Sequence, residues 1–410
     1  MKARLTITAL LLGTMAPAQT LVSYTDADGL PSSSCRDVVA LGGDSVWIAT
    51  AAGVAFFDGS SFTVHNTTTH PGLADNSINA IAVAADGSIW AGTDFGVSVF
   101  DGSTYTTYTT VDGLGSDQIR NIKQAPNGDV WIGTVQGATR YDGNVFTSFG
   151  QPELPFGGVN HFAFDGNGDV WMAGGLSGII IYDGNAFSYI TQSDGLISPR
   201  INSIALGSTE RWIGTASGIT VLDGSNNVLE HHTRPFQLPP PDTLNPVTDL
   251  VLDANGRAWA GVYVDYLVTE GGVSHYDGSM WDQLETSDGL AGPNVRRLSV
   301  SPENNIWVAT STGLTVIRNV NISVPELTAQ VQLRAFPNPL TTHSRLLFSE
   351  TLSSAHRIEV LDVYGRVHRS LQATGARELV LDREGLASGL YLVRVSEQGR
   401  NVGSVRVVVE

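Results

Sequence analysis

Short runs of alternating apolar and polar residues, four to six long, recur along most of the chain and are cut by Asp-Gly, Asn-Gly and other Gly-containing turns. In one unit Ile119–Gln124 leads to the turn Pro126-Asn127-Gly128 and then to the apolar run Val130–Thr134. A Gly-containing loop, Ala138–Tyr141, the Asp142-Gly143 turn and Phe146–Phe149 follow. β-Branched and aromatic runs of this length predict strands. Asp-Gly or Asn-Gly between them predicts tight hairpins, because those residues accept positive φ. Each unit is expected to be a meander of four short strands.

A tryptophan marks the second strand of each unit: VWIAT at Trp47, IWAGT at Trp90, VWIGT at Trp131, VWMAG at Trp171, RWIGT at Trp212, AWAGV at Trp259 and IWVAT at Trp307. The spacing is about 41 residues, rising to about 48 in the last two intervals. A period of this size signals a propeller or a solenoid. The outer strands separate the two. Asp-Gly and an outer strand follow at Asp58, Asp101, Asp142, Asp183, Asp223 and Asp277, but the seventh unit stops after Gly313–Ile317. Leu21–Thr25 (LVSYT) matches YTTYT at Tyr105 and precedes the same Asp-Gly-Leu loop. The N-terminal strand is therefore expected to complete the last blade and remove two sheet edges.

The predicted fold class is all-β: a seven-bladed β-propeller over 19–319 closed by its N-terminal strand, a linker over 320–329, and a small immunoglobulin-like β-sandwich over 330–410. Strands are expected in the last part at Ser344–Phe348, Arg357–Asp362, Glu378–Leu381, Gly389–Val395 and Ser404–Val409.

The repeat resembles the two-component regulator propeller family. Asp112-Gly113-Leu114, Ile119, Ile122, Gly128, Val130–Thr134, Gly137 and Tyr141-Asp142-Gly143 carry the match. Such propellers often form the periplasmic sensor part of membrane-bound histidine kinases; this sequence has no kinase and no transmembrane segment, so that role is not expected here. The last eighty residues resemble the type IX secretion C-terminal sorting domain, through FPNP (Phe336–Pro339), IEVLDVYGRVH (Ile358–His368) and LASGLYLVRV (Leu386–Val395). That resemblance implies the type IX secretion machinery as a partner, passage through the outer membrane, and removal of the domain, with the protein secreted or attached at the cell surface. The terminus VRVVVE departs from the pattern in carrying only Arg406 as a basic residue.

The N-terminus agrees with export. Lys2 and Arg4, the apolar run Leu5–Leu12 and Ala16-Pro17-Ala18 read as a signal peptide over 1–18, too short for a stable membrane span. One cysteine, Cys35, excludes an internal disulfide framework and aligns with apolar positions of the other repeats. The net charge is −17; residues 19–328 hold 11 basic and 32 acidic side chains, against 10 and 8 in 329–410. An acidic propeller repels phosphate backbones, so nucleic acid is not an expected partner.

No nucleophile elbow, zinc-protease helix, P-loop or dinucleotide fingerprint is present. Polar residues open each innermost strand and are expected to ring a channel mouth: Arg36, Asp37, Asn79, Arg120, Asn121, Asn160, His161, Asn202, Asp249, Arg296 and Arg297. A paired structural network competes with a binding role for this ring. Two loops are longer than their counterparts, His231–Pro246 and Tyr263–Gly272. Long loops on a rigid scaffold commonly carry binding, so Tyr263, Asp265, Tyr266, His231 and His232 are expected to border a pocket with the mouth. Aromatics beside carboxylates suit a sugar or a peptide. Asp165, Asn167 and Asp169 alternate like calcium ligands, but Val170 and Leu176 stand where the motif needs Gly and an acid, so turn chemistry is expected instead.

Two functions follow. One is a non-catalytic binding or sensing module for a glycan, peptide or protein. The other is an extracellular carbohydrate-active or lyase-type enzyme with His161 and Asp249 facing each other at the channel. The repeat is loosely similar to the virginiamycin B lyase propeller, in which His and acidic residues act with a metal.

Overall fold

The seven Trp motifs become the second strands of seven four-stranded antiparallel sheets among the described residues of a computed structural model. The structure describes residues 19–154, 158–238, 245–263, 270–318 and 333–410, except 355, 363–365, 374, 384, 398 and 399. The expected signal peptide and linker lie outside the described residues, as do Asp265 and Tyr266. The chain divides into two compact units, 1–320 and 321–410.

The first strands of the seven sheets are Cys35–Ala40, Ala80–Val83, Ile119–Gln124, Val159–Phe164, Ile201–Leu206, Val247–Leu252 and Val295–Val300. Each touches the next in order, and the seventh touches the first. In the seventh sheet the outermost strand is Thr20–Tyr24, antiparallel to Gly313–Arg318, with Thr20 opposite Arg318 and Tyr24 opposite Leu314.

Apolar residues alternate along these strands so that both faces of a sheet are buried, and the cores lie between sheets. Seven clusters each draw on two consecutive sheets. One of them joins Trp307, Leu314 and Val316 of the seventh to Val38, Ile48 and Phe57 of the first. Trp131, Trp171, Trp259 and Trp307 are fully buried. A buried indole removes roughly 200 Å² from water, a gross gain of about 5 kcal/mol each.

The residues after each tryptophan have local causes. The second residue after it is Gly or Ala because the next sheet's first strand presses on it. A Cβ on Gly92 would sit 2.4 Å from Ile119 Cγ2, and one on Gly261 would sit 2.5 Å from Val295 Cγ1. The next residue is Thr in five sheets, where it locks a two-residue turn. Thr50, Thr93, Thr134, Thr215 and Thr310 each donate from Oγ1 to the carbonyl three residues on, at 2.7–3.2 Å. Each also accepts the N–H two residues on. The sixth sheet has Val262 there, and the tight turn gives way to the long segment after Tyr263.

The Asp-Gly turns explain much of the acidity. Asp58, Asp101, Asp142, Asp183, Asp223 and Asp277 accept nearby backbone N–H groups through Oδ1. The hydrogen bonds hold Asp58 and Asp101 at about 2. Cys35 is buried, and burial pushes its thiol up to about 12.

In the second unit Leu333–Phe336, His343–Leu352 and Ala376–Asp382 form one sheet, and Val367–Gln372, His356–Asp362, Gly389–Glu397 and Arg400–Val409 form another. Leu346, Phe348 and Leu381 of the first meet Ile358, Val393 and Val407 of the second in one core. The five expected strands are present with wider bounds. Val367–Gln372 was missed because its face is largely exposed and its apolar residues are sparse.

Candidate functional site

The first strands of the seven sheets line a central channel, and a repeated irregularity decides what enters it. In six of them the pairing with the Trp strand slips at the second residue, between Cys35 and Asp37, Ile119 and Asn121, Val159 and Phe162, Ile201 and Ser203, Val247 and Asp249, and Val295 and Arg297. A bulge sets two residues against one, so neighbours that would alternate between faces share one. Arg36 and Asp37, Arg120 and Asn121, and Arg296 and Arg297 therefore all face the channel. The second residues line an upper cavity, and of the third residues Asp37, Asn121, His161, Asp249 and Arg297 line a lower one.

The upper cavity has a volume of about 970 Å³. Arg36, Arg120, Arg200, Arg296 and Arg297 line it with Asn79, Asn160, Asn202, Asp94 and Tyr263. Its second-position side chains pass hydrogen bonds from sheet to sheet. Arg36 Nη1 donates to Asn79 Oδ1 (2.6 Å) and Ser77 Oγ (2.7 Å). Arg120 Nη1 donates to Asn160 Oδ1 (3.0 Å), Asn160 Nδ2 to the Ile201 carbonyl, and Asn202 Nδ2 to the Val247 carbonyl (2.7 Å). Arg296 Nη1 closes the series on Ser34 Oγ (3.1 Å). Burial, and then the neighbouring Arg200, lower the pKa of Arg120; burial and Arg36 do the same to Arg296.

Below lies a belt of buried charge. Asp37 Oδ2 accepts the Ile81 N–H (2.9 Å), His161 Nδ1 the Ile204 N–H (3.3 Å), and Asp249 Oδ2 the Leu298 N–H (2.8 Å). All three use the same latch: the third residue of one first strand holds a backbone N–H of the next sheet's first strand, at Ile81, Ile204 or Leu298. Because Nδ1 accepts, the His161 proton resides on Nε2. Arg297 reaches from the seventh sheet to the fourth, where Nη2 donates to the Asn160 carbonyl (3.3 Å), and it borders both cavities. Lys123 Nζ donates to the Phe162 carbonyl (3.2 Å).

The electrostatics follow from burial. Burial pushes Asp37 up to about 6 against the pull of Arg297 and of its backbone donors, and raises Asp249 in the same way. It lowers Lys123, which Asp249 and Asp37 oppose. His161 is held well below its ordinary value by burial, then by Lys123 and Arg297. Two carboxylates and two cations thus face one another around a neutral imidazole.

The structure brings Arg120, Arg297 and Tyr263 together at the upper cavity. It places His161 and Asp249 beneath, occupied as acceptors for neighbouring strands. His231 and His232 are corrected. They sit on the outer strand Val228–His232 of the fifth sheet and line neither channel cavity, because that strand carries them to the sheet's far edge. There His232 stacks on Trp212 (centroids 5.4 Å apart, planes at 4°) and contacts Tyr276. Asp165 Oδ1 accepts the Asn167 and Asp169 N–H groups, which is turn chemistry. Among the described residues no three His, Cys, Asp or Glu side chains gather as a metal site.

Lys123 and Arg200 escaped the sequence reading. The aligned fifth positions of the other first strands are Val39, Ala82, Ala163, Ala205, Val251 and Ser299, so a lysine among small or apolar residues was the available signal. Arg200 stands immediately before its strand, where the other repeats have Ser34, Ser77, Gln118, Gly158, Pro246 and Asn294.

Comparison with known proteins bears on fold and destination. The two component regulator propeller model matches residues 72–95 and 113–136, and the secretion system C-terminal sorting domain model matches 334–410. A search of curated proteins finds no match. Among solved structures, the chain is similar to PorZ, an essential bacterial surface component of the type-IX secretion system of Porphyromonas gingivalis, with 18% identity and a TM-score of 0.58. That alignment covers 93% of this chain and 60% of PorZ, so the chain spans less than two thirds of that protein's length. It is also similar to a streptogramin B lyase (12% identity, TM-score 0.54, covering 73% of this chain and 97% of that one). YCF48 bound to D1 peptide is a further likeness (13% identity, TM-score 0.53, covering 73% and 96%). At these identities the likenesses establish the all-β, propeller-like fold alone. No helix among the described residues is long and apolar enough to cross a membrane. The chain is a secreted, cell-surface protein that carries two component regulator propeller repeats and, behind them, a type IX secretion C-terminal sorting domain.

Proposed function

We propose that the first unit is a seven-bladed β-propeller, closed by its N-terminal strand, that serves as a non-catalytic binding or sensing module at the cell surface. The contacts of the first strands from sheet to sheet, and the cluster joining the seventh sheet to the first, support the ring. The binding site is the upper cavity, with Arg120, Arg297 and Tyr263 in its wall. The sorting domain delivers the propeller through the secretion machinery and is removed near residue 328.

The observation that carries the binding reading is the division of labour in the channel. The best acid-base candidates, His161 and Asp249, latch neighbouring strands below Arg297, whereas the described wall of the cavity above is dominated by guanidiniums and amides. A lyase reading needs those two groups free at the mouth.

Calorimetric titration of oligosaccharides and peptides against wild type, Arg120→Ala and Tyr263→Ala tests this. Saturable binding weakened about tenfold or more by either substitution supports it; turnover that needs a metal and is lost in His161→Ala refutes it. Mass spectrometry of exported protein, read for a C-terminus near residue 328, tests the removal.

A further inference from the structure

The upper cavity carries a charge opposite to that of its surroundings. Residues 19–328 hold only 11 basic side chains against 32 acidic ones, yet five of the eleven, Arg36, Arg120, Arg200, Arg296 and Arg297, line this one cavity. Among the described lining residues one carboxylate, Asp94, joins them, and its Oδ1 accepts from Asn79 Nδ2 at 2.9 Å.

The hydrogen bonds position Arg36 and Arg296 without neutralising them. Arg36 is held by a serine and an asparagine and Arg296 by a serine, whereas Arg297 also faces the buried carboxylates Asp37 and Asp249 below. Neutral acceptors fix direction and leave the positive charge in place. Arg120 also lies near Arg200 and Arg296 near Arg36, and burial followed by that neighbouring guanidinium lowers the proton affinity of Arg120 and of Arg296. Like charges gathered in a half-enclosed, partly desolvated space cost stability unless an anion occupies it. Arginine in such sites suits planar oxyanions, which it meets with two parallel N–H donors.

Size and setting narrow the class. Among the described residues of the wall Tyr263 is the one aromatic, set against five guanidiniums, so the recognition these residues offer is charge and hydrogen bonding more than ring stacking. A cavity of about 970 Å³ takes a ligand of short-oligosaccharide size. A long acidic chain would run out over an acidic exterior, whereas a compact ligand meets only the arginines. The crowded pairs come from different arcs of the sheet order, Arg36 and Arg296 from the first and seventh, Arg120 and Arg200 from the third and the approach to the fifth. A scaffold with anionic groups at both ends satisfies both pairs.

We infer that the upper cavity binds a compact acidic saccharide bearing two or more carboxylate, sulfate or phosphate groups. This rests on the reading of that cavity as the binding site.

The full chain is titrated calorimetrically with trigalacturonate, a disulfated disaccharide, neutral maltotriose and an acidic tetrapeptide, at about 50 mM and about 500 mM NaCl. At least one acidic saccharide is expected to bind, to weaken about tenfold or more in high salt, and to weaken about tenfold or more in Arg200→Glu. Arg200 is exposed, so that variant folds; Arg36→Gln is the second, with unfolding curves taken on both. Maltotriose binding as tightly as the acidic sugars, with Tyr263→Ala abolishing it and Arg200→Glu leaving it intact, overturns the charge class while the cavity reading stands. Salt-sensitive binding indifferent to both arginine variants overturns the cavity reading as well. An acidic peptide binding more tightly than either saccharide, or no heat from any acidic saccharide, also overturns the proposal.

Discussion

Replacing Arg297 by methionine keeps much of the side chain's length and removes the charge shared by Asp37 and Asp249. Both carboxylates are buried, and Arg297 opposes the rise of each. Breaking a buried ion pair by deleting one partner costs about 3–5 kcal/mol. At roughly 2 °C per kcal/mol for a unit of this size, the melting temperature should fall by about 6–10 °C at pH 8. The pH dependence discriminates this from lost packing. The folded value of Asp37, about 6, exceeds its ordinary 3.8, so wild type is most stable below about 4 from this group and loses that contribution as pH rises through 6. Without Arg297 the folded value rises further, and each additional unit removes about 1.4 kcal/mol at high pH. The variant's deficit should therefore be larger at pH 8 than at pH 5, and Arg297→Lys should recover part of it. All eight tryptophans lie between residues 47 and 307, so indole fluorescence during urea unfolding follows the first unit alone. A deficit equal at both pH values, or an Arg297→Lys variant no better than methionine, refutes the charge argument.

Three further outcomes are expected. His65 is buried, shares a 3.0 Å hydrogen bond with Tyr105 and stacks on His70, and burial followed by His70 lowers it to about 4. Since a depressed histidine resists protonation in the fold, stability should fall between pH 6.5 and 4 by up to about 3 kcal/mol, and His65→Phe should flatten that part of the urea-midpoint profile. Gly261→Ala drives a methyl against Val295 and should cost about 1–3 kcal/mol in the same assay; an unchanged midpoint would mean that the neighbouring strand yields freely. Thr215→Val removes the hydroxyl that bridges Gly218 and Ser217 and should cost about 1–2 kcal/mol, with faster amide exchange confined to that turn.

The repeated sheets were legible because each motif residue has a local steric or hydrogen-bonding cause. Gly92 yields space to Ile119, Thr93 closes a turn on Gly96, and Asp101 organises the next hairpin, so the pattern recurs wherever the geometry does. Arg120, Arg297 and Tyr263 were legible for a related reason, since repeat alignment fixes their place at strand starts and in the long loop. The division between upper and lower cavities was not. It depends on a bulge that leaves no residue signature, and on register between sheets about forty residues apart, as in the Asp37 latch to Ile81. The adjacent histidines misled because a long following loop suggested the mouth, whereas Trp212 holds His232 at the periphery.

The pairing of Thr20 with Arg318 also dictates an order of assembly. A strand made among the first residues waits for a partner almost three hundred positions later, and the core around Trp307 needs side chains from both ends of the first unit. Six sheets can form in sequence as the chain appears, but the seventh core stays open until residue 318 arrives. Such distant pairing is slow to form and leaves apolar surface uncovered until it does. The core around Trp307 is therefore the last of the seven to be covered, whatever order the other six take.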